Sequence, residues 1–84
     1  MHFVYILISQ KDNNFYIGFT NDLERRIKQH NNGQVASTKP RRPFKLFHLE
    51  GFATKEEAVK KEKYYKSGLG REKLKSMMVA RSDN

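Results

Sequence analysis

Two short stretches rich in β-branched and aromatic residues, 3–8 and 15–19, flank a polar segment at 9–14. Asp12, Asn13 and Asn14 within that segment all tolerate turn backbone angles, so the pattern predicts a β-hairpin. The first stretch, Phe3-Val4-Tyr5-Ile6-Leu7-Ile8, is apolar on both faces. The return strand alternates. Phe15, Ile17 and Phe19 fall on one face, and Tyr16, Gly18 and Thr20 on the other.

A helix is predicted next. Asn21 is a favoured N-cap, Asp22 suits the helix dipole, and Glu24 stands where a capping box needs it. Leu23 and Ile27 form the inward pair, Arg26 and His30 a second pair beside it, and Gly33 is the stop. A polar, basic loop over 34–43 carries Lys39 and, between two prolines, Arg41 and Arg42, and residues 44–49 read as a third strand. The second helix opens on Thr54-Lys55-Glu56-Glu57, a capping box. Its inward stripe runs Ala58, Tyr65, Leu69, with Glu62 in the place where an apolar residue belongs. Gly68 and Gly70 are read as its end, followed by a short helix over 71–80 packed through Leu74, Met77 and Met78.

The 84 residues make one domain, 1–84, large enough to hide roughly 60–65% of the surface the unfolded chain exposes. The absence of cysteine removes disulfides, zinc–thiolate sites and thiol catalysis together. The longest apolar run is far shorter than the roughly 20 residues a membrane span needs, and no basic segment precedes it, so neither a spanning helix nor a signal peptide is expected. A cytoplasmic location is the expectation. Seventeen Lys and Arg against nine Asp and Glu give a formal charge of +8, which favours a polyanionic partner through counterion release. Plain solubility is the competing explanation of that charge.

The ordered set Phe3-Val4-Tyr5, Tyr16-Ile17-Gly18, Asp22-Leu23-Glu24-Arg25-Arg26 with His30, and Ala58 to Glu62 resembles the GIY-YIG nuclease superfamily, in the form of a small stand-alone bacterial member. The resemblance implies an α/β (α+β) fold, a three-stranded antiparallel sheet flanked by helices in the order β-β-α-β-α-α. It also implies cleavage of a nucleic-acid phosphodiester with a divalent metal, Mg²⁺ or Mn²⁺. Tyr16 matches the tyrosine used as general base or water-orienting hydroxyl, although an ordinary phenol ionises only near pH 10. Tyr5 matches the tyrosine of the first half-motif, where a hydroxyl holds water or phosphate. Arg26 matches the helix arginine, whose permanent charge suits the non-bridging oxygens of a phosphoryl group in transfer. His30 stands where the family has a tyrosine or histidine, and a neutral imidazole is the better base near pH 7. Glu62 matches the metal-binding glutamate; one carboxylate with waters and substrate oxygens is a usual way of holding Mg²⁺. Each residue also has a plainer role open to it. The tyrosines could cover the sheet, Arg26 could be a solvated helix residue, His30 could interact with the helix dipole, and Glu62 could pair with Lys63, Lys66 or Arg26.

Lys39, Arg41 and Arg42 are candidate nucleic-acid contacts from a loop that could equally be flexible and solvated. Two departures bear on activity. Phe3 replaces the glycine that names the family, and Phe19 follows the Tyr-Ile-Gly triplet where some relatives carry lysine or a small polar residue. The expected function is a divalent-metal-dependent endonuclease, possible substrates being DNA ahead of RNA, with structure-selective cutting as one form. A non-catalytic basic nucleic-acid-binding module of the same fold is the alternative, and a protein–protein adaptor using the Met77-Met78 helix is a third. His2 and His48 have no chemical context in the sequence.

Overall fold

Strand β1 (His2–Ser9) occupies the middle of a three-stranded antiparallel sheet, between β2 (Phe15–Thr20) and β3 (Phe44–Phe52), in the order β2-β1-β3. The computed structural model describes residues 1–82. The central position explains why the first apolar run has no polar face: Val4, Tyr5, Ile6 and Leu7 are each no more than 1% exposed. In the hairpin Tyr5 lies opposite Gly18, and Leu7 opposite Tyr16. On the other side Val4 pairs with Glu50 and Ile6 with His48, and the register then shifts, leaving Phe47 as an extra residue in β3.

Helices α1 (Leu23–Asn31), α2 (Lys55–Lys66) and α3 (Gly68–Ser82), with one 3₁₀ turn (Lys39–Arg41), complete the order β-β-α-β-α-α. The two faces of the sheet bury different sets of residues. Val4, Ile6, Ile17, Ala58, Tyr65 and Leu74 join the sheet to α2 and α3. Tyr5, Leu7 and Phe44 pack with Tyr16 and with Leu23 and Ile27 of α1. Fully burying one such aliphatic side chain stabilises the fold by roughly 1.5–3 kcal/mol. Met77 packs against the first of these clusters, so of the α3 methionine pair it is not available to a partner. None of the helices is long and apolar enough to cross a membrane, among the described residues.

Three local readings change. The N-cap of α1 is Asp22, whose carboxylate accepts from the Arg25 amide at 3.2 Å, and not Asn21. The Thr20 hydroxyl accepts from the Asp22 amide at 3.0 Å and so sets Asp22 at the helix start. Glu24 is thereby moved out of capping-box register and pairs instead with Lys28 at 3.3 Å. Strand β3 runs on to Phe52, beyond the predicted end at 49.

The third change is at the α2–α3 junction. Gly68 and Gly70 do not separate the helices but lie in the first turn of α3. Ser67, in extended conformation, ends α2, and its hydroxyl oxygen accepts from the Gly70 amide at 3.3 Å. A Cβ at position 70 would collide with the Tyr64 carbonyl and the Tyr65 Cα, so only glycine lets α3 start this close to α2. Leu69 is 73% exposed and does not continue the inward stripe. The Thr54 cap of α2 matches its prediction, accepting from the Glu57 amide at 3.2 Å.

Gly70→Ala should therefore cost on the order of 1–3 kcal/mol, the usual range for overpacking. For a domain this small each kcal/mol lowers Tm by roughly 4–8 °C. Gly68, next in the same turn, has open space around it, and Gly68→Ala should leave Tm unchanged or raise it. Thermal denaturation of the two variants checks this; equal Tm values would contradict the close helix approach.

Candidate active site

Tyr5 projects from the central strand on the α1 side, and its ring crosses Gly18 of the neighbouring strand. A Cβ at position 18 would stand 2.5 Å from the Tyr5 hydroxyl oxygen, so the glycine of the Tyr-Ile-Gly triplet is the space in which that hydroxyl sits. Burial pushes the Tyr5 phenol up from its ordinary value, against the opposing hydrogen bond from Arg26. Tyr5 is thus a neutral phenol at physiological pH.

Behind Tyr5 lies His30, wholly buried although it is in the last turn of α1. Its Nε2 is 3.0 Å from the Tyr5 hydroxyl and its Nδ1 is 2.9 Å from the Thr38 hydroxyl. One proton assignment satisfies every partner in this network. Thr38 has one hydroxyl proton, and in that assignment it goes to the Val35 carbonyl, 3.3 Å away. Thr38 therefore accepts from Nδ1–H, Nε2 is the bare nitrogen, and Tyr5 donates its proton to Nε2. The Tyr5 oxygen is left as an acceptor towards the other side, where Arg26 Nε donates to it at 3.4 Å. Burial, and then the neighbouring Arg26 charge, lower the His30 pKa to about 4. At neutral pH His30 is uncharged, with both ring nitrogens engaged.

Arg26 is held from two directions. Nε donates to Tyr5, and Nη1 donates to the Gln29 side-chain carbonyl at 3.2 Å. The hydrogen bond to Tyr5, with smaller contributions from Tyr16, raises its pKa further despite partial burial, so the guanidinium is a permanent cation. Tyr16, opposite Leu7 on the edge strand, is partly exposed. Its ring meets the His30 ring edge at 4.7 Å and lies 6.4 Å from the Tyr5 ring. Tyr5, Tyr16, Arg26 and His30 thus form one contiguous group.

Glu62 comes from α2, the helix on the opposite side of the sheet from α1. Its side chain is 16% exposed and pairs with Lys66 at 3.8 Å, one of the partners open to it from the sequence. Its charge nevertheless acts on the Tyr5 phenol, contributing to the upward shift there. No group of three or more His, Cys, Asp and Glu able to hold a metal occurs among the described residues. A single carboxylate does not fit zinc, which takes three or four protein ligands. It fits a hard cation such as Mg²⁺, which keeps several waters and takes substrate oxygens.

Lys39, Arg41 and Arg42 occupy an ordered turn, not a loose loop. The buried Ser9 hydroxyl donates to the Arg41 carbonyl at 2.6 Å, and Lys11 Nζ donates to the Pro40 carbonyl at 3.1 Å. Arg41 pairs with Asp12 at 2.9 Å and lies over the Phe44 ring. Arg42 donates to the Lys39 carbonyl at 2.9 Å, and Lys39 is exposed. None of the three hydrogen bonds found for these side chains, from Arg41 to Asp12 and to the Phe15 carbonyl and from Arg42 to the Lys39 carbonyl, reaches Tyr5, Tyr16 or Arg26.

The family model for the GIY-YIG catalytic domain matches residues 1–75. The chain belongs to the GIY-YIG family. The UPF0213 protein YazA of Bacillus subtilis is 50% identical over 66 residues, covering 77% of this chain and 66% of that protein, so the chain spans just under two thirds of that relative's length. The UPF0213 protein SSP2268 of Staphylococcus saprophyticus is 47% identical over 75 residues, covering 88% of this chain and 90% of the relative. The solution NMR structure of the UPF0213 protein BH0048 from Bacillus halodurans superimposes with a TM-score of 0.55 at 42% identity, covering 90% of this chain and 83% of that one. The GIY-YIG domain is that of a nuclease superfamily, and this small bacterial member carries its half-motif tyrosines on β1 and β2.

Thr38 and Gln29 are parts of this GIY-YIG site that the sequence did not disclose. A threonine in a polar loop and a glutamine on a polar helix carry no pattern, and only the tertiary fold brings them to His30 and Arg26. His48, without chemical context in the sequence, has partners in the fold. It lies 3.0 Å from Glu50, which accepts a hydrogen bond from the buried Tyr65 hydroxyl and faces Lys61 at 3.9 Å. Burial works against the Glu50 charge, but the bonds from Tyr65 and His48 and the charge of Lys61 hold its carboxyl below the ordinary range. These groups satisfy one another on the α2 side of β3.

The buried neutral His30 has a consequence for acid stability. Its folded pKa, about 4, lies below the value near 6.5 of an exposed imidazole, so the unfolded chain binds the proton more tightly. The stabilisation is complete above about pH 6.5 and is lost as pH falls towards 4; the linkage amounts to about 3 kcal/mol. Urea denaturation between these limits should show this fall in the wild type and a markedly smaller one in His30→Gln. The same slope in both proteins would contradict it.

Proposed function

We propose that this GIY-YIG domain is a divalent-metal-dependent endonuclease hydrolysing nucleic-acid phosphodiester bonds, with DNA ahead of RNA as substrate. The observation that carries the reading is the hydrogen bond from Arg26 to Tyr5, which fixes a permanent cation beside two phenols in a domain of charge +8. Arg26 serves as the clamp on the non-bridging oxygens, where negative charge accumulates in the transition state. Its position is set in advance by Tyr5 and Gln29, so little reorganisation is needed when substrate arrives.

Tyr16, the partly exposed phenol, orients the attacking water; as the water oxygen bonds to phosphorus, the phenol oxygen takes the water's proton while its own proton passes to solvent. The bond from phosphorus to the leaving oxygen breaks, giving a phosphomonoester end and a hydroxyl end. Tyr5, 1% exposed, acts through Arg26, which it holds with the lone pairs left facing away from His30. His30, buried and with both nitrogens occupied, acts through Tyr5 as a positioning residue and not as the base in contact with water. Glu62 would hold Mg²⁺ or Mn²⁺, and a divalent cation bound there polarises the phosphate as a Lewis acid.

Incubation of supercoiled plasmid and branched DNA with Mg²⁺ or Mn²⁺ tests the proposal. The wild type should nick, Arg26→Ala should be slower by about 10²–10³-fold, and Glu62→Ala should lose metal-stimulated cleavage. Equal rates in all three proteins would overturn the assignment. Salt-sensitive binding by the wild type without any cutting would instead select the non-catalytic binding module.

A further inference from the structure

A groove of about 570 Å³ lies outside the catalytic group, between the hairpin turn, the 3₁₀ turn and α3. Three cations line it, Arg41, Arg71 and Lys75, one from the 3₁₀ turn and two a helical turn apart on α3. Asp12 pairs with Arg41 and is held ionised by it, which cancels one of these charges and leaves a net two. Asn13 and Asn14 add amide-bearing residues to the lining, and Phe15 and Met78 add apolar ones. Positive charge, amide groups and apolar surface together are the composition that single-stranded nucleic acid requires, for phosphates, base edges and base faces in turn.

The walls are held in place. Asn13 has a left-handed backbone (φ 58°), its amide donates to the Ser9 carbonyl at 3.0 Å, and the Asn14 amide donates to the Asp12 carboxylate at 2.9 Å. Arg41 donates both to Asp12 and to the Phe15 carbonyl, which ties the 3₁₀ turn to the start of β2. Phe15 immediately precedes Tyr16 on β2, an edge strand, and their side chains fall on opposite faces. A chain passing round that edge goes from the catalytic group into the groove without another strand in its way. Room of this size suits one or two nucleotides and exceeds the need of a lone anion.

We propose that the groove holds the unpaired nucleic-acid strand flanking the cleaved bond, with its phosphates on Arg71 and Lys75 and a base against Phe15 and Met78. This rests on the reading of the domain as acting on nucleic acid, and adds to it a second contact region apart from the chemistry. It also gives Arg41 a place, at the groove wall and away from the scissile phosphate.

Fluorescence anisotropy of a labelled single-stranded oligonucleotide, in EDTA so that nothing is cut, tests the groove by itself. Arg71→Ala/Lys75→Ala should bind roughly tenfold more weakly at low salt, and its slope of log affinity against log salt should be shallower by about 1.4, or about 0.7 for each phosphate lost. Lys63→Ala/Lys73→Ala, which removes the same charge from exposed positions outside the groove, should keep the wild-type slope. Equal losses in the two double variants would overturn the groove, since only total charge would then matter. Displacement of the oligonucleotide by polyglutamate as effectively as by unlabelled oligonucleotide would overturn it as well. Binding with the predicted slopes but no nicking in Mg²⁺ would leave the groove standing and remove the nuclease reading; nicking with unchanged slopes would do the reverse.

Discussion

The buried hydrogen bond between Tyr5 and His30 joins the central strand to the end of α1, and Thr38 behind it brings in the loop that follows. In water this bond would be worth little. With both partners sealed from solvent, either one left unpaired would carry a desolvation penalty of about 1–3 kcal/mol. The strand, the helix and the loop are therefore held in a single relative arrangement. Arg26, one helical turn before His30, inherits its place from that arrangement, and so do its bonds to Tyr5 and Gln29. The polarity of the chain matters as much as its existence. With the Thr38 proton given to Val35, each donor down the line faces one way, and the Tyr5 oxygen presents lone pairs to the arginine.

The sheet makes this possible by using the two sides of β1 for different purposes. Val4 and Ile6 anchor α2 and α3 and supply ordinary apolar packing. Tyr5 and Leu7, on the other side, share their cluster with α1, so the motif side chains of the strands and of α1 meet in one half of the core. Gly18 is the complement in β2: its missing side chain is occupied by the Tyr5 hydroxyl. The family's two half-motifs thus meet across a strand pair, one contributing a phenol and the other the space that receives it.

Much of this was legible in the sequence because it depends on local patterns. Alternation in β2, the two-faced apolar run of β1 and the Thr54 cap each follow from residue type and spacing, and the half-motifs with Arg26 come from ordered resemblance. What escaped depended on contacts distant in the chain or on competition between near-equal local choices. Asn21 and Asp22 are both good caps, and the Thr20 hydroxyl decides between them. Two glycines after α2 look like a stop, yet one of them is there to let the next helix pack tightly. Glu62 interrupts an apolar stripe, as its position suggested, and remains partly accessible beside Lys66. His30 stands in the sequence where a base would serve, but burial gives it the work of holding a phenol.

The sharpest test of this arrangement is the protonation of one imidazole. Long-range ¹H–¹⁵N correlation of the histidine ring nitrogens should find His30 neutral, protonated at Nδ1 and bare at Nε2, and unchanged as pH is lowered through 6.5 to about 5. A proton on Nε2, or conversion to imidazolium with a midpoint near 6.5, would mean that His30 is neither sealed in nor oriented by Thr38, and the order imposed on Tyr5 and Arg26 would have no source.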